Sequence, residues 1–167
     1  AIFKDTYAAL LTQSAKMPSP DFRLAETGES AEDFALRCAK ELQDYVAQHH
    51  HELAAFIIEP LVQCAAGMGM YHPVYLKRAR EICSQYDVHL IADEIAVGFG
   101  RTGTMFACEQ SDIKPDFICL SKGITGGYLP LSAVLTTDDV YAAFYDDSTA
   151  KAFLHSHSYT GNPLACS

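Results

Sequence analysis

Lys122 and Asp93 are the residues whose types and setting could do chemistry. Each follows a short apolar run. Phe117-Ile-Cys-Leu120 leads into Ser121-Lys122-Gly123, and Val88 to Ala92 leads into Asp93-Glu94. A third run, Ala54 to Ile58, closes on Glu59-Pro60. In open α/β sheets, ligands bind beyond the carboxyl ends of strands, so a base and acids at these ends mark where a site is expected. A lysine between a buried strand and a glycine is expected to be partly desolvated. Desolvation lowers its ammonium pKa and frees the amine to form a Schiff base with a carbonyl. The other reading is a lysine that snorkels from the strand end to solvent. Asp93 favours the first. A carboxylate on one side of an electron-withdrawing heterocycle keeps the ring nitrogen protonated, while an amine serves the reacting carbon on the other side.

The elements that must position these groups are legible from periodicity. Ser30 is placed to cap a helix, with Asp33 three residues on, and Phe34, Cys38, Leu42 and Tyr45 recur at helical spacing. The tract His49-His-His51 reads as the solvated end of that helix, because three adjacent histidines cannot face one metal; no metal site is expected. The pattern over residues 3–11 is weakly helical, and Met17 to Asp21 reads as a loop. Cys64 to Met70 reads as a small-residue loop. Pro73 suits a first helical turn, with Leu76, Ala79, Ile82, Cys83 and Tyr86 on the buried side. Leu131 to Leu135 reads as a fourth strand, and Thr137 as the cap of a helix over 138–145. Strands buried on both faces that alternate with helices imply an α/β fold: a mostly parallel sheet flanked by helices.

Gly98-Phe-Gly-Arg-Thr-Gly103 matches the dinucleotide-binding string but not its context. The first glycine lies five residues past Asp93, no long amphipathic helix follows, and no second strand ends in the required acid. Arg101, inside this string, is expected in a structural ion pair. Composition narrows the rest. Hydrophobic residues are 49% and charged residues 20% of 167, which is globular. A net charge of −9 argues against nucleic acid or an anionic membrane surface as partner. No apolar run is long enough to span a bilayer, and no secretory signal opens the chain. The six cysteines form no CxxC pair and read as free thiols in a reducing cytoplasm.

Leu90-Ile-Ala-Asp-Glu-Ile-Ala-Val-Gly-Phe-Gly-Arg-Thr-Gly103, followed by Ser121-Lys-Gly-Ile-Thr-Gly-Gly127, resembles the signature of the class III pyridoxal-phosphate aminotransferases. Ile57-Ile-Glu-Pro60, Pro115-Asp-Phe117, Tyr128 to Ala133 and Tyr159 to Ala165 extend the resemblance over about residues 53–167. It implies the fold-type I architecture of pyridoxal-phosphate transferases and pyridoxal 5'-phosphate as cofactor. Lys122 would carry the cofactor covalently and then shuttle protons, and Asp93 would hold the ring N–H. Ile95 would pack on the ring. His157 and Ser158 match the pair that reaches the cofactor phosphate of a neighbouring subunit, which implies a homodimer; Thr160 is the second candidate for that contact. The family usually has Thr at the position of Ser158, and the hydroxyl donor is kept. Ser156 matches a position beside the substrate.

Two departures bear on specificity. Ala65 stands where many members carry Glu, and Ala96 where many carry Gln. Both are similar to the biotin-synthesis branch of the family, as are Val62 to Met68, Met70 to Pro73 and His155 to Pro163. That branch implies S-adenosylmethionine as amino donor and 8-amino-7-oxononanoate as acceptor. Two other readings stay open: a class III enzyme for an ω-amino acid with pyruvate, and a non-catalytic piece of such an enzyme. Family chains are much longer. Residues 1–167 are therefore expected to be one partial domain, the middle of the large cofactor-binding domain, inactive when isolated.

Overall fold

A computed structural model describes residues 6–11 and 14–167. The weak helical pattern expected over 3–11 lies partly outside them; Ala8–Leu10 forms a single 3₁₀ turn. Helix α1 spans Ala31–His49. Its start is the expected one: Ser30 Oγ accepts the Asp33 N–H at 3.1 Å and donates to the Asp33 carboxylate at 2.7 Å. Phe34, Cys38 and Leu42 are buried as their spacing requires, but the fourth inward residue is Val46. Tyr45 is half-buried and stacks on His49. Helix α2 spans Pro73–Gln85, with Pro73 in the first turn and His72 Nδ1 accepting the Val74 N–H.

The strands are β1 (Ala55–Ile58), β2 (Val62–Gln63), β3 (Gly69–Met70), β4 (His89–Asp93), β5 (Phe117–Leu120) and β6 (Ala133–Thr136). The main sheet runs β1-β4-β5-β6, parallel across its first two pairings and antiparallel at the last. Strands β2 and β3 form a separate antiparallel hairpin, where the sequence suggests only a loop. Pairing segments two residues long carry too little periodicity to be seen. Two further helices are short: α3 (Asp138–Phe144), capped by Thr137, and α4 (Pro163–Cys166).

The core lies under α1 and α2. Leu42, Leu76 and Leu90 are almost wholly buried there, each worth about 1.5–3 kcal/mol relative to exposure. Strands covered on both faces were expected, and this holds on the helix side only. Leu90 and Ala92 join the core, whereas Ile57 is 61% exposed and Val134 64% exposed. Cys38, Cys83 and Cys108 are buried thiols, Cys64 and Cys119 half-buried, and Cys166 exposed; all six are free. Among the described residues no helix is long and apolar enough to cross a membrane.

Asp116 ties the layers together. Its Oδ2 accepts the Leu90 N–H at 2.6 Å and an Arg80 N–H from α2 at 2.7 Å. Burial raises its pKa, but these donors outweigh burial and hold the carboxyl below the ordinary 3.8. A depressed carboxyl contributes stability above its unfolded pKa, and that stability is lost as pH falls through the folded value. Asp116→Asn should therefore lower the urea midpoint at neutral pH by the equivalent of about 1–3 kcal/mol. It should also flatten the pH dependence of stability below roughly pH 5, which urea titrations across the acid range will read.

Candidate active site

Because β1, β4 and β5 are parallel, their carboxyl ends share one edge. Glu59, Asp93 and Lys122 come together there on the wall of a single cavity of about 810 Å³. The hairpin and its tip line it through Val62, Cys64, Ala65, Met68 and Met70. The segment after β4 closes the side with Ile95, Ala96 and Arg101. Both substituted positions, Ala65 and Ala96, thus face the cavity, where a shorter side chain enlarges it.

Asp93 is half-buried. Its Oδ1 accepts the Ile95 N–H at 3.1 Å, and among the described residues Oδ2 has no hydrogen-bond partner. Lys122 sits at φ +47°, a left-handed conformation that costs a non-glycine residue about 1–3 kcal/mol. Among the described residues its ammonium makes no ion pair. The expected desolvation is not found: Lys122 is exposed. The strand-end lysine reaches solvent and lines the cavity at once.

Neighbouring acids do other work. Glu94 is fully buried and turned away from the cavity. Its carboxylate accepts the Ala107 N–H at 2.9 Å and the Cys108 N–H at 2.8 Å, capping a 3₁₀ turn over Ala107–Ser111. Gly98 donates to the Glu94 carbonyl at 2.9 Å. The glycine string is therefore a loop pinned to Glu94, with no α-helix after it. Glu59 accepts the Cys64 N–H at 2.9 Å and so fixes the start of the hairpin's tip. Burial and the Glu59 carboxylate push the Cys64 thiol pKa up. Asp21 and Arg23 brace the hairpin from outside: Arg23 donates to the Gly67 carbonyl, and a Cβ on Gly69 would lie 2.8 Å from Asp21 Oδ2.

Sequence reasoning missed the hairpin wall and misplaced Arg101. Among the described residues Arg101 makes no ion pair; it is exposed and lines the cavity. Its neighbours Gly100 and Thr102 offered no periodicity to show which way it points. Ser156, His157, Ser158 and Thr160 do not line this cavity. They lie on an exposed segment held by local bonds, the His157 N–H to Thr160 Oγ1 at 3.0 Å and the Tyr159 N–H to His157 Nδ1 at 3.1 Å.

The donor set suits pyridoxal phosphate. An acceptor-only carboxylate with a spare oxygen and an amine without an ion-pair partner share one cavity, with the apolar Ile95 on the same wall. Comparison with known proteins points the same way. The model of the aminotransferase class-III family matches residues 2–167, and the chain belongs to that family. It is 52% identical over 166 residues to the adenosylmethionine-8-amino-7-oxononanoate aminotransferase of Helicobacter pylori, covering 99% of this chain and 36% of that protein. Among solved structures it is similar to an omega-aminotransferase from Paracoccus denitrificans, with a TM-score of 0.85 and 31% identity over 98% of this chain and 37% of that one. It is also similar to the omega transaminase from Pseudomonas jessenii in complex with PMP, with a TM-score of 0.76 and 38% identity over 84% of this chain and 32% of that one. The chain thus spans about a third of the length of the relatives it matches.

Glu94 allows a check of the geometry. Glu94→Gln sets an amide N–H₂ against one of two backbone donors and leaves a buried group unsatisfied. It should destabilise the chain by about 1–3 kcal/mol in a urea titration, despite having the same shape. A neutral result would mean that the loop does not depend on this carboxylate.

Proposed function

We propose that the chain is the part of a class III aminotransferase that holds pyridoxal 5'-phosphate between Asp93 and Lys122. The proposed reaction moves an amino group from S-adenosylmethionine to 8-amino-7-oxononanoate in biotin synthesis. The observation that carries the reading is the meeting of these two residues in one cavity at the carboxyl ends of adjacent parallel strands. The substrate pair rests on the 52% identity to the Helicobacter pylori enzyme across nearly the whole chain and on the small residues Ala65 and Ala96 at the cavity wall.

In this reading Lys122 Nζ holds the cofactor covalently, and Asp93 Oδ2 accepts the ring N–H while Ile95 packs against the ring. When bound, the cofactor supplies a protonated ring that takes up the electron pair left as a substrate C–H bond breaks. Once an incoming substrate amine had displaced it from its covalent link, the freed Lys122 Nζ would be the base that removes that proton and the acid that returns it. The Ile95 N–H fixes the Asp93 carboxylate through Oδ1, so that Oδ2 stays aimed. The resemblance of His157 and Ser158 to the family's phosphate-contacting pair supports a homodimer in which they, with Thr160 as second candidate, serve the cofactor phosphate of the other subunit and Ser156 lies by the substrate. The free cysteines support a cytoplasmic setting.

Grafting residues 1–167 into the Helicobacter pylori enzyme, in place of the segment they match, tests the reading. The graft should transfer the amino group from S-adenosylmethionine, and Lys122→Ala should abolish transfer. Asp93→Asn should lower kcat on the order of 10²-fold or more, the scale for losing a group that stabilises developing charge. An active Lys122→Ala graft would sink the assignment. A graft that prefers alanine as donor would move it to the ω-amino acid branch.

A further inference from the structure

Lys122 owes its backbone conformation to something outside its own strand, and the structure shows what presses on it. A Cβ built on Gly123 would lie 2.7 Å from Phe99 Cδ2, 2.9 Å from its Cβ and 3.0 Å from its Cγ. Side-chain carbons do not approach that closely, so the Phe99 side chain fills the space directly against the residue after Lys122. Phe99 itself sits at φ +57° and Lys122 at φ +47°. Two non-glycine residues in left-handed backbone, one in the Phe99–Gly123 contact and one next to Gly123, cost about 1–3 kcal/mol each and persist only where the surroundings over-determine them.

The surroundings do so. The Phe99 loop is closed at one end by Gly98 N–H donating to the Glu94 carbonyl at 2.9 Å. It is closed again by Gly100 N–H donating to the Met105 carbonyl at 3.2 Å. The Phe106 ring meets the Phe99 ring edge-on, with centroids 5.7 Å apart. The Glu94 carboxylate holds the next two residues, Ala107 and Cys108, at their N–H groups. On the other side, Ser121 Oγ donates to the Leu131 carbonyl at 2.8 Å and fixes the turn to the segment that leads into β6. Phe99 and Gly123 also line a second cavity of about 360 Å³ that shares Lys122 with the first.

We infer that Phe99 is a positioning residue for Lys122: its side chain, braced through Phe106 and the Glu94-pinned loop, packs on Gly123 and holds the Lys122 turn in its left-handed conformation. The consequence for catalysis rests on the role proposed above for Lys122; the positioning itself does not. Burial of a phenylalanine against a core would need no glycine opposite it and no strained backbone at either residue.

The test reads Lys122 directly and without cofactor. Competitive acetylation of the cofactor-free Helicobacter pylori graft by acetic anhydride, followed by peptide mass spectrometry, gives the rate and pH profile of each lysine. Gly123→Ala should change the Lys122 rate by about threefold or more, the scale of coupling between touching residues, and leave Lys77 and Lys114 unchanged. Phe99→Leu keeps Cβ, Cγ and a Cδ, so it should leave the Lys122 profile close to that of the parent. Phe99→Gly removes every clashing atom and relieves φ +57°. In that background Gly123→Ala should change the Lys122 rate by less than about twofold. If Gly123→Ala alone fails to fold, the Phe99→Gly/Gly123→Ala pair should restore a folded chain. Additive effects, an unchanged Lys122 profile in Gly123→Ala, or a double variant that stays unfolded would each overturn the inference. Because no cofactor enters, failure here leaves the aminotransferase reading standing, and failure of that reading leaves this result readable.

Discussion

The parallel ladder between β4 and β5 sets Asp93 level with Cys119, and the site hangs from that register. Three residues beyond Cys119 the chain reaches Lys122. A slip of one residue in β4 would turn Asp93 into the core and bring Ala92 or Glu94 to the cavity instead. The hydrophobic pattern prevents the slip. Leu90 and Ala92 are buried under the helices, so odd-numbered positions of β4 must face the other way. Asp116 adds a polar lock, since its carboxylate takes the Leu90 N–H of β4 and a donor from α2 at once. Core packing and one shared carboxylate thus place Asp93 and Lys122 before any ligand is considered.

Environment divides the labour among acids that are near neighbours. Asp93 keeps one oxygen for its own turn and presents the other. Glu94, one residue on, spends both oxygens on buried backbone donors and shapes the loop. Glu59 fixes the hairpin's tip through the Cys64 N–H. A buried carboxylate is tolerable only when its lone pairs are satisfied, and the two backbone donors meet that need for Glu94. The strain at Lys122 and Phe99 belongs to the same economy: the loop is held firmly enough to keep both residues in a conformation neither would choose.

Much of this was legible in the sequence. Asp93 and Lys122 stood out because each ends an apolar run too short and too β-branched or apolar for a surface helix. Ser30 and Pro73 marked helix starts by local rules that tertiary contacts did not override. The failures are of a different kind. The hairpin β2–β3 is two residues wide on each side and has no period to read. Desolvation of Lys122 was inferred from its neighbours in sequence, whereas exposure is set by what lies over it in space. Arg101, for which a structural ion pair was the default expectation, makes none among the described residues and lines the cavity. Tyr45 gave way to Val46 because the buried stripe keeps its four-residue step from Phe34 through Cys38 and Leu42 to Val46.

The central claim is that Lys122, and no other lysine of the chain, carries the cofactor. The direct measurement is borohydride reduction of the Helicobacter pylori graft after incubation with one equivalent of pyridoxal 5'-phosphate, followed by peptide mass spectrometry. The account predicts the phosphopyridoxyl mass on the peptide containing Lys122, with little on any other lysine of residues 1–167. Label spread over Lys77, Lys114 and Lys151, or absent from Lys122, would contradict it.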